Sequence, residues 1–369
     1  MMTGIPLHVL PSGPTEPPPP WITGTLSTPL GNVSRIATTW DRNDHRGEVK
    51  ARISDRFRMN YRIQPGLLAV GNPTSESPVL LSANYKLSFD MLRRELSGID
   101  AWILVLDTQG INVWCAAGKG TFGTDEIIRR IRFTGLEKQV SHRKIIAPQL
   151  GAPGIKSHAV KKATGFNIRF GPIEARDLRR YLENGQVATP DMRRVSFDLK
   201  ARAVLVPMEL SLVMKKTWLV ILGIFVFFGL MPEGILFREA VAGGLPVLLL
   251  FLASVLTGAG LTPVLLPWIP FRSFALKGFL LGVLPVALAH VLSGFYYLPF
   301  ESGYLLGASY LVFPALSGYL AFNFTGCTTF TSPSGVTREL RILLKLYAGL
   351  ILAAIILLVC YKLQTWGVL

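Results

Sequence analysis

The sequence predicts a Rossmann-like α/β domain followed by an all-α transmembrane domain of five helices. Three observations carry this. Short apolar runs alternate with helical patterns from Gln64 to about Glu183, the order expected of a mostly parallel sheet covered by helices. Beyond residue 217, five apolar runs are each long enough to cross roughly 30 Å of hydrocarbon at about 1.5 Å per residue. Charge divides in the same way. Residues 1–216 hold 31 Lys/Arg against 19 Asp/Glu, and the remainder holds seven against four.

The elements follow in chain order. Residues 1–50 carry Pro6, Pro11, Pro14 and the run Pro17–Pro20, without an apolar core suited to a signal peptide. A disordered, Pro-rich segment is expected there, with polyproline II as its local form. The α/β domain is expected over 51–200. Its strands are predicted at 66–70, 78–82, 99–107, 144–147 and 166–170, and its helices at 87–96, 125–133, 157–163 and 173–182. Thr124 is the expected cap of the second helix, with Asp125 and Glu126 suited to its first turn. Ligands of such sheets sit at the carboxyl ends of the strands. The loops assigned to those ends are 71–75, 82–84, 108–124, 148–154 and 171–172, all rich in Gly, Pro, Asn and Ser.

A linker is expected over 201–216 and the membrane domain over 217–369, with spans at 218–237, 241–261, 274–292, 304–322 and 342–361. Lys215 and Lys216 precede the first span, Arg272 and Lys277 follow the second, and Arg338, Arg341 and Lys345 follow the fourth. The alternate loops carry only Arg238. The positive-inside rule then makes this a multi-pass protein of the inner, cytoplasmic membrane, with the α/β domain cytoplasmic and the C-terminus outside. Lys362 alone stands against that orientation. The basic balance thus has a membrane explanation, and no nucleic-acid motif accompanies it. Gly278 and Gly282, and Gly303 and Gly307, are spaced for close helix packing. His290 is an ionisable group inside the third span, without a paired set of intramembrane acids or bases.

Three cysteines, Cys115, Cys327 and Cys360, are too few for a disulfide framework or a four-cysteine iron–sulfur cluster. Cys115 stands in Asn112-Val-Trp-Cys-Ala-Ala-Gly-Lys-Gly-Thr121, just past the apolar run 101–107. Four readings compete for this segment. Gly118, Gly120 and Gly123 match a dinucleotide pattern, but that pattern belongs where a strand ends, and ten residues separate Asp107 from Gly118. Cys115 as a nucleophile would need His142 or His158 as its base, and nothing in the spacing brings them together. A buried, inert thiol is the third reading. The fourth is a thiolate metal ligand near a helix N-terminus, with Lys119 nearby. One thiolate does not hold a bare metal. It serves as the axial ligand of a metal already held by a macrocycle, and small neighbouring residues admit a flat ring.

The run 112–124, Asn-Val-Trp-Cys-Ala-Ala-Gly-Lys-Gly-Thr-Phe-Gly-Thr, closely resembles the signature of the corrinoid protein family of microbial mercury methylation, the HgcA family. Gly71-Asn-Pro73, Ser77-Pro-Val-Leu80 and Phe330-Thr-Ser-Pro-Ser-Gly-Val336 are similar to its flanking segments, so the resemblance covers roughly residues 60–365. The soluble part also resembles the corrinoid domain of the large subunit of the corrinoid/iron–sulfur protein of the acetyl-CoA pathway. It departs from that relative in lacking the cluster cysteines and room for a barrel domain. The corrinoid pattern Asp-x-His-x-x-Gly is absent as well.

The resemblance implies a corrinoid-binding domain and a corrinoid-dependent methyltransferase. Its cofactor would be a base-off, cobalamin-type corrinoid with Cys115 as the lower ligand of cobalt. Asn112, Val113, Trp114, Cys115, Ala116, Ala117, Gly118 and Lys119 would form a cap helix. Gly120, Thr121, Phe122, Thr74, Asn84, Gly151 and Gly154 would complete the contacts. The methyl group would come from a methyltetrahydrofolate-linked donor and pass to Hg(II), forming methylmercury. The implied reductant is HgcB, a small ferredoxin-like protein with two 4Fe–4S clusters. A membrane-anchored carrier of acetyl-CoA-pathway type with another methyl acceptor is the alternative. Cys327, at the cytoplasmic end of the fourth span, is read as structural, with a place on the mercury path as the other option.

Overall fold

Seven strands and their covering helices account for the first of two compact units, Met1–Val195, and a set of apolar helices for the second, Ser196–Leu369. The computed structural model describes residues 19–296, 299–328 and 330–369.

In the first unit the strands are β1 (Ile22–Thr28), β2 (Gly31–Ile36), β3 (Gly66–Val70), β4 (Val79–Ala83), β5 (Ala101–Leu106), β6 (Lys144–Ala147) and β7 (Asn167–Phe170), in the spatial order β1-β2-β3-β5-β4-β6-β7. The helices are α1 (Arg42–Ile53), α2 (Asp55–Asn60), α3 (Lys86–Glu95), α4 (Val113–Lys119), α5 (Thr124–Thr134), α6 (Leu136–Gln139), α7 (Ser157–Thr164) and α8 (Leu178–Glu183). Every residue of β3, β4 and β5 is buried. Side chains alternate between faces along a strand. Ala69, Leu81, Trp102 and Leu104 therefore join α5 and α7 in one core, while Val70, Leu80, Ile103 and Val105 join α3 and α8 in another.

Two expectations are corrected here. β4, β5, β6 and β7 run parallel, but β3 pairs antiparallel with β5, Gly66 opposite Val105 and Val70 opposite Ala101. The reason is length. Only residues 71–78 join β3 to β4, and a parallel return needs a crossover of about a dozen residues or more. Loop 71–75 thus lies at the amino edge of the parallel strands.

The second correction concerns 1–50. Residues 1–18 lie outside the described residues, but Ile22–Ile36 form an antiparallel hairpin and Arg42–Ile53 a helix. Val33 and Ile36 are buried, and Trp21 packs edge-on against Phe89 with ring centroids 5.1 Å apart. The proline-rich composition stops at Pro20, and the chain folds from Ile22 onward. Asp41 begins α1 with a reciprocal cap, its side chain accepting from the Asp44 N–H. A buried charge network then ties α1 to α3. Lys86 Nζ lies 2.6 Å from Asp90, Arg93 Nε donates to Asp90 at 2.9 Å, and Arg93 also pairs with Asp44. A Cβ at Gly47 would lie 2.6 Å from Lys86 Cε, so only glycine leaves room for that lysine.

The second unit contains α9 (Leu199–Ala203), α10 (Val206–Met214), α11 (Thr217–Gly229), the short hairpin β8 (Leu230–Met231) and β9 (Gly234–Ile235), α12 (Phe237–Val255), α13 (Thr262–Leu265), α14 (Phe274–Tyr296), α15 (Gly303–Asn323) and α16 (Pro333–Thr365). A π-helical stretch, Leu256–Leu261, joins α12 to α13. Among the described residues four helices are long and apolar enough to cross a membrane. A fifth span exists only if the segments Leu199–Met214 and Thr217–Gly229, bent by 53°, count as one. The expected first span, 218–237, is therefore cut short at Gly229. Pro232 follows within a hairpin that pairs Met231 with Gly234, and proline cannot continue a helix past its own turn.

The expected linker 201–216 is instead packed structure. Arg202 is buried and donates to the carbonyls of Val264 at 3.1 Å and Phe197 at 2.7 Å. Gly278 and Gly282 bring α14 against α15. Cβ atoms there would lie 2.6 Å from the Ser317 carbonyl and 2.8 Å from Pro314 Cα, respectively. Ser317 Oγ donates to the Gly278 carbonyl at 2.7 Å. Gly303 has open space about it. Lys362 is buried with its ammonium on the Phe228 and Leu230 carbonyls, at 3.3 and 3.0 Å. The carbonyl end of α11 thus holds the one cation that ran against the charge bias.

Candidate functional site

The site begins where β5 ends. Asp107 N–H is held by Glu126 Oε1 at 2.8 Å. The chain then turns through Gln109 and Gly110, with φ of 60° and 74°. Such left-handed positions need support from the surroundings, and Asn84 supplies it. Its Oδ1 accepts from Thr108 N–H at 2.9 Å, Thr108 Oγ1 at 2.8 Å and Gly110 N–H at 3.0 Å, and its amide donates to Asp107 at 3.2 Å. Asn84 is 2% exposed, so it organises the loop from beneath and offers no surface to a ligand.

The loop delivers Asn112 as the cap of α4. Its Oδ1 accepts from the Cys115 N–H at 2.9 Å. Helical spacing then divides the short helix into two faces. Ala116 and Ala117 are buried in the core, while Trp114, Cys115, Gly118 and Lys119 are exposed. The expectation that all of 112–122 contact a ligand is narrowed accordingly. Ala116, Ala117 and Phe122 face the scaffold. Around Gly118 there is open space, with no atom within 4 Å of where a Cβ would stand.

The glycines near Cys115 have structural causes. Gly120 ends α4 at φ 81°. A Cβ at Gly123 would lie 2.5 Å from the Gly120 carbonyl, and one at Gly154 would lie 2.3 Å from the Phe122 carbonyl and 3.1 Å from Ala117 Cα. Gly151 is buried against the Phe122 ring. Gly120 and Gly123 thus shape the end of one helix and the entry to the next, and with Gly118 they lie away from a strand end. Gly151 and Gly154 press the 149–154 turn onto α4 as its support. Gly123 caps α5, and Thr124 instead accepts the Lys156 N–H at 2.8 Å.

Two further sequence expectations separate from Cys115. Thr74 lies at the amino edge of the sheet, its carbonyl accepting from the Trp102 indole at 2.9 Å. His142 lies at that edge too, 3.0 Å from the Ser77 carbonyl. His158 is exposed on α7, and no hydrogen bond joins Cys115 to either histidine. Cys115 is an exposed free thiol, which excludes the buried, inert reading. Among the described residues no group of three or more His, Cys, Asp or Glu could hold a metal ion.

The structure adds residues that motif reasoning missed. Tyr85 follows β4 and is 8% exposed. Burial pushes its phenol above the ordinary value of 10.0, Arg58 and Arg52 pull it back, and the Cys115 charge adds to the rise. The carboxyl edge therefore gathers Arg52 and Arg58 from α1 and α2 near Cys115. Arg62 packs on Gly110, with Cγ 3.0 Å from where a Cβ would be. The visible signal was the recurrence of arginine at 52, 56, 58 and 62, in a segment that carries no motif.

A cavity of about 430 Å³ opens beside the first turn of α4. Asn112, Val113 and Trp114 form one wall, Leu87 and Met91 of α3 another, and Ala147, Pro148 and Leu150 a third. It lies where β4 leads into α3 on one face and β5 into α4 on the other. Strand order reverses there, which is where open α/β sheets bind ligands.

A model of the family described as CO dehydrogenase/acetyl-CoA synthase delta subunit matches residues 54–182. The acetyl-CoA decarbonylase/synthase complex subunit gamma of Archaeoglobus fulgidus is 30% identical over 128 residues, 34% of this chain and 27% of the relative. Its counterpart in Methanopyrus kandleri is 32% identical over 128 residues, with the same shares. That of Methanocaldococcus jannaschii is 32% identical over 129 residues, 34% of this chain and 26% of the relative. The chain thus spans about a quarter of the length of these relatives. The family match takes in β3 to β7 and the cap helix α4.

Proposed function

We propose that the chain is a membrane-anchored, corrinoid-dependent methyltransferase that passes a methyl group to Hg(II), forming methylmercury. The observation that carries this is the division of α4. One face is locked to the scaffold by Ala116, Ala117 and the 149–154 turn, and the other presents Cys115 beside Trp114 and Gly118. That face is exposed, is open at Gly118 and carries one soft donor, and the residues present fit a corrinoid. When bound, a corrinoid supplies a cobalt centre that takes up and gives away a methyl group.

The chain's own part is positional and electronic. Cys115 Sγ would ligate the metal as a thiolate. Asn112 fixes the backbone of Cys115, so the sulfur is placed before the ligand arrives. Gly118 leaves the ring room, and the cavity at the first turn of α4 would admit a peripheral part of the cofactor. Asn84, Gly151 and Gly154 act through the loop and the helix they hold. Thr74 is left out of the contact set.

A second reading has its own support. The matched family and the γ subunits are named for the acetyl-CoA complex, and by analogy a carrier with a different methyl acceptor would use the same cap. The helical unit separates this chain from that type. It suits a protein of the cytoplasmic membrane with its α/β unit in the cytoplasm. Reducing power would come from a ferredoxin-like partner with two 4Fe–4S clusters, and methyl groups from a methyltetrahydrofolate-linked donor.

The test uses the full-length protein loaded with cobalamin. The visible and paramagnetic spectra of wild type should differ from those of Cys115→Ala, and cells carrying the variant should form no methylmercury. An unchanged cobalt spectrum overturns the thiolate ligand. A changed spectrum in a protein whose wild type methylates no Hg(II) assigns the chain to the second reading.

A further inference from the structure

The second unit holds a charge without a counter-charge. Lys277, in the first turn of α14, is 7% exposed. Its ammonium donates to the Leu266 carbonyl, and among the described residues it forms no ion pair. A buried ammonium is costly unless it is paired. Lys277 lines a cavity of about 950 Å³ together with Arg272 and Arg338, neither of which has an ion-pair partner among the described residues. The single carboxylate there is Glu339. It is committed to the start of α14, accepting from Ser273 Oγ and from the Ala275 N–H, both at 2.8 Å. Three cations against one carboxylate leave the cavity two positive charges in excess.

Ser273, Thr331 and Ser332 add hydroxyls to the lining, and its remaining side chains are apolar. Phe271, Phe330 and Ile342 stand 49%, 51% and 59% exposed, and Ile342 continues into the apolar length of α16. An inorganic anion would satisfy the cations and leave these side chains in water. An amphiphile satisfies both. The cavity lies where α14 and α16 begin, at the ends that carry the basic loops, and on the spanning reading that is the cytoplasmic headgroup level.

We infer that this cavity is a binding site for an anionic phospholipid, its phosphate held by Lys277, Arg272 and Arg338 and its acyl chains laid along α16. Basic pockets between membrane helices on the cytoplasmic side suit such headgroups. The site is separate from Cys115 and rests on the spanning reading of the helices.

The test is native mass spectrometry of the full-length protein, released from nanodiscs of phosphatidylcholine doped with phosphatidylglycerol, with inorganic phosphate as a competing arm. Wild type should retain phosphatidylglycerol in preference to phosphatidylcholine. Arg338→Gln and Arg272→Gln, both at exposed positions, should each weaken retention about fivefold, near the effect of one basic residue at an anionic surface. Lys277→Gln should weaken it further, and Arg238→Gln, in a loop of the other set, should leave it unchanged. Equal retention of the two lipids, or unchanged retention in the Arg272 and Arg338 variants, overturns the site. Displacement by millimolar phosphate makes it a free-anion site and overturns the lipid assignment. Extraction of the wild type from membranes by alkaline carbonate is a separate readout. Release there would sink the spanning reading, whatever the lipid result.

Discussion

Cys115 and Ala116 are neighbours with opposite surroundings, and that contrast follows from helical geometry once Ala116 and Ala117 have been claimed by the core. The loop that aims them depends on Asn84. Replacing Asn84 by Ala removes the acceptor of three donors at once. Leaving such groups unpaired costs roughly 1–3 kcal/mol, so Asn84→Ala should lower the thermal midpoint and the fraction of protein that retains corrinoid. An unchanged midpoint and full loading would remove Asn84 from its supporting role. Tyr85 gives a pH dependence. Burial raises its folded-state pKa above 10.0, so the neutral phenol favours the folded state. That contribution is whole below pH 10 and is lost as pH rises through the folded value. Unfolding curves of wild type and Tyr85→Phe should therefore run parallel at neutral pH and diverge above about pH 10, with the wild type falling faster. Parallel curves throughout the alkaline range would contradict this.

At the scale of elements, α4 is too short to be stable alone, since isolated helices below about 12–15 residues are marginal in water. Its order is borrowed from the 149–154 turn and the sheet. The helix α1 is anchored to α3 in a different way, through Asp44, Lys86, Asp90 and Arg93. Arg93 is fully buried between two carboxylates. Arg93→Met would strand Asp44 and leave Asp90 with Lys86 alone, and breaking a buried pair in this way costs about 3–5 kcal/mol. The expected result is a lower denaturation midpoint in urea and a loosened α1–α2 segment, read as faster amide exchange over Arg42–Asn60. A midpoint within error of wild type would show the network to be dispensable. The same variant should disturb the site, because α1 and α2 carry Arg52 and Arg58.

For the whole molecule, the testable quantity is orientation. Basic residues collect at the starts of α14 and α16, and the buried Lys362 no longer weighs against the bias. A reporter fused after Leu369 should be active as alkaline phosphatase and dark as green fluorescent protein, placing the C-terminus outside. The reverse pattern would invert the topology of α12 to α16 and, with five spans, remove the α/β unit from the cytoplasm. Four candidate spans lie between the 230–235 hairpin and Leu369, so those two points share a side. Whether α10 and α11 make a further crossing is therefore tested by a reporter ahead of α10, and opposite results there and in the hairpin mean an odd number of spans.

Much of this architecture was legible before any coordinates. The alternation of apolar runs and helical patterns gave β3 to β7 nearly to the residue, because buried strands and amphipathic helices each have a period that composition cannot hide. The four long apolar helices were legible for the same reason, and Cys115 stood out by its neighbours. Three things were decided only by the folded chain. The direction of β3 depends on a short connection closing on itself, which moved Thr74 to the far edge. The hairpin of 22–36 is stabilised by pairing with β3 rather than by its own composition. The third is the division of labour around Cys115. Asn84, Phe122, Gly151 and Gly154 look like ligand-loop residues in a list of letters, since Asn and Gly serve equally to meet a ligand and to let two pieces of backbone approach. Burial distinguishes the two uses, and burial is a property of the packed chain.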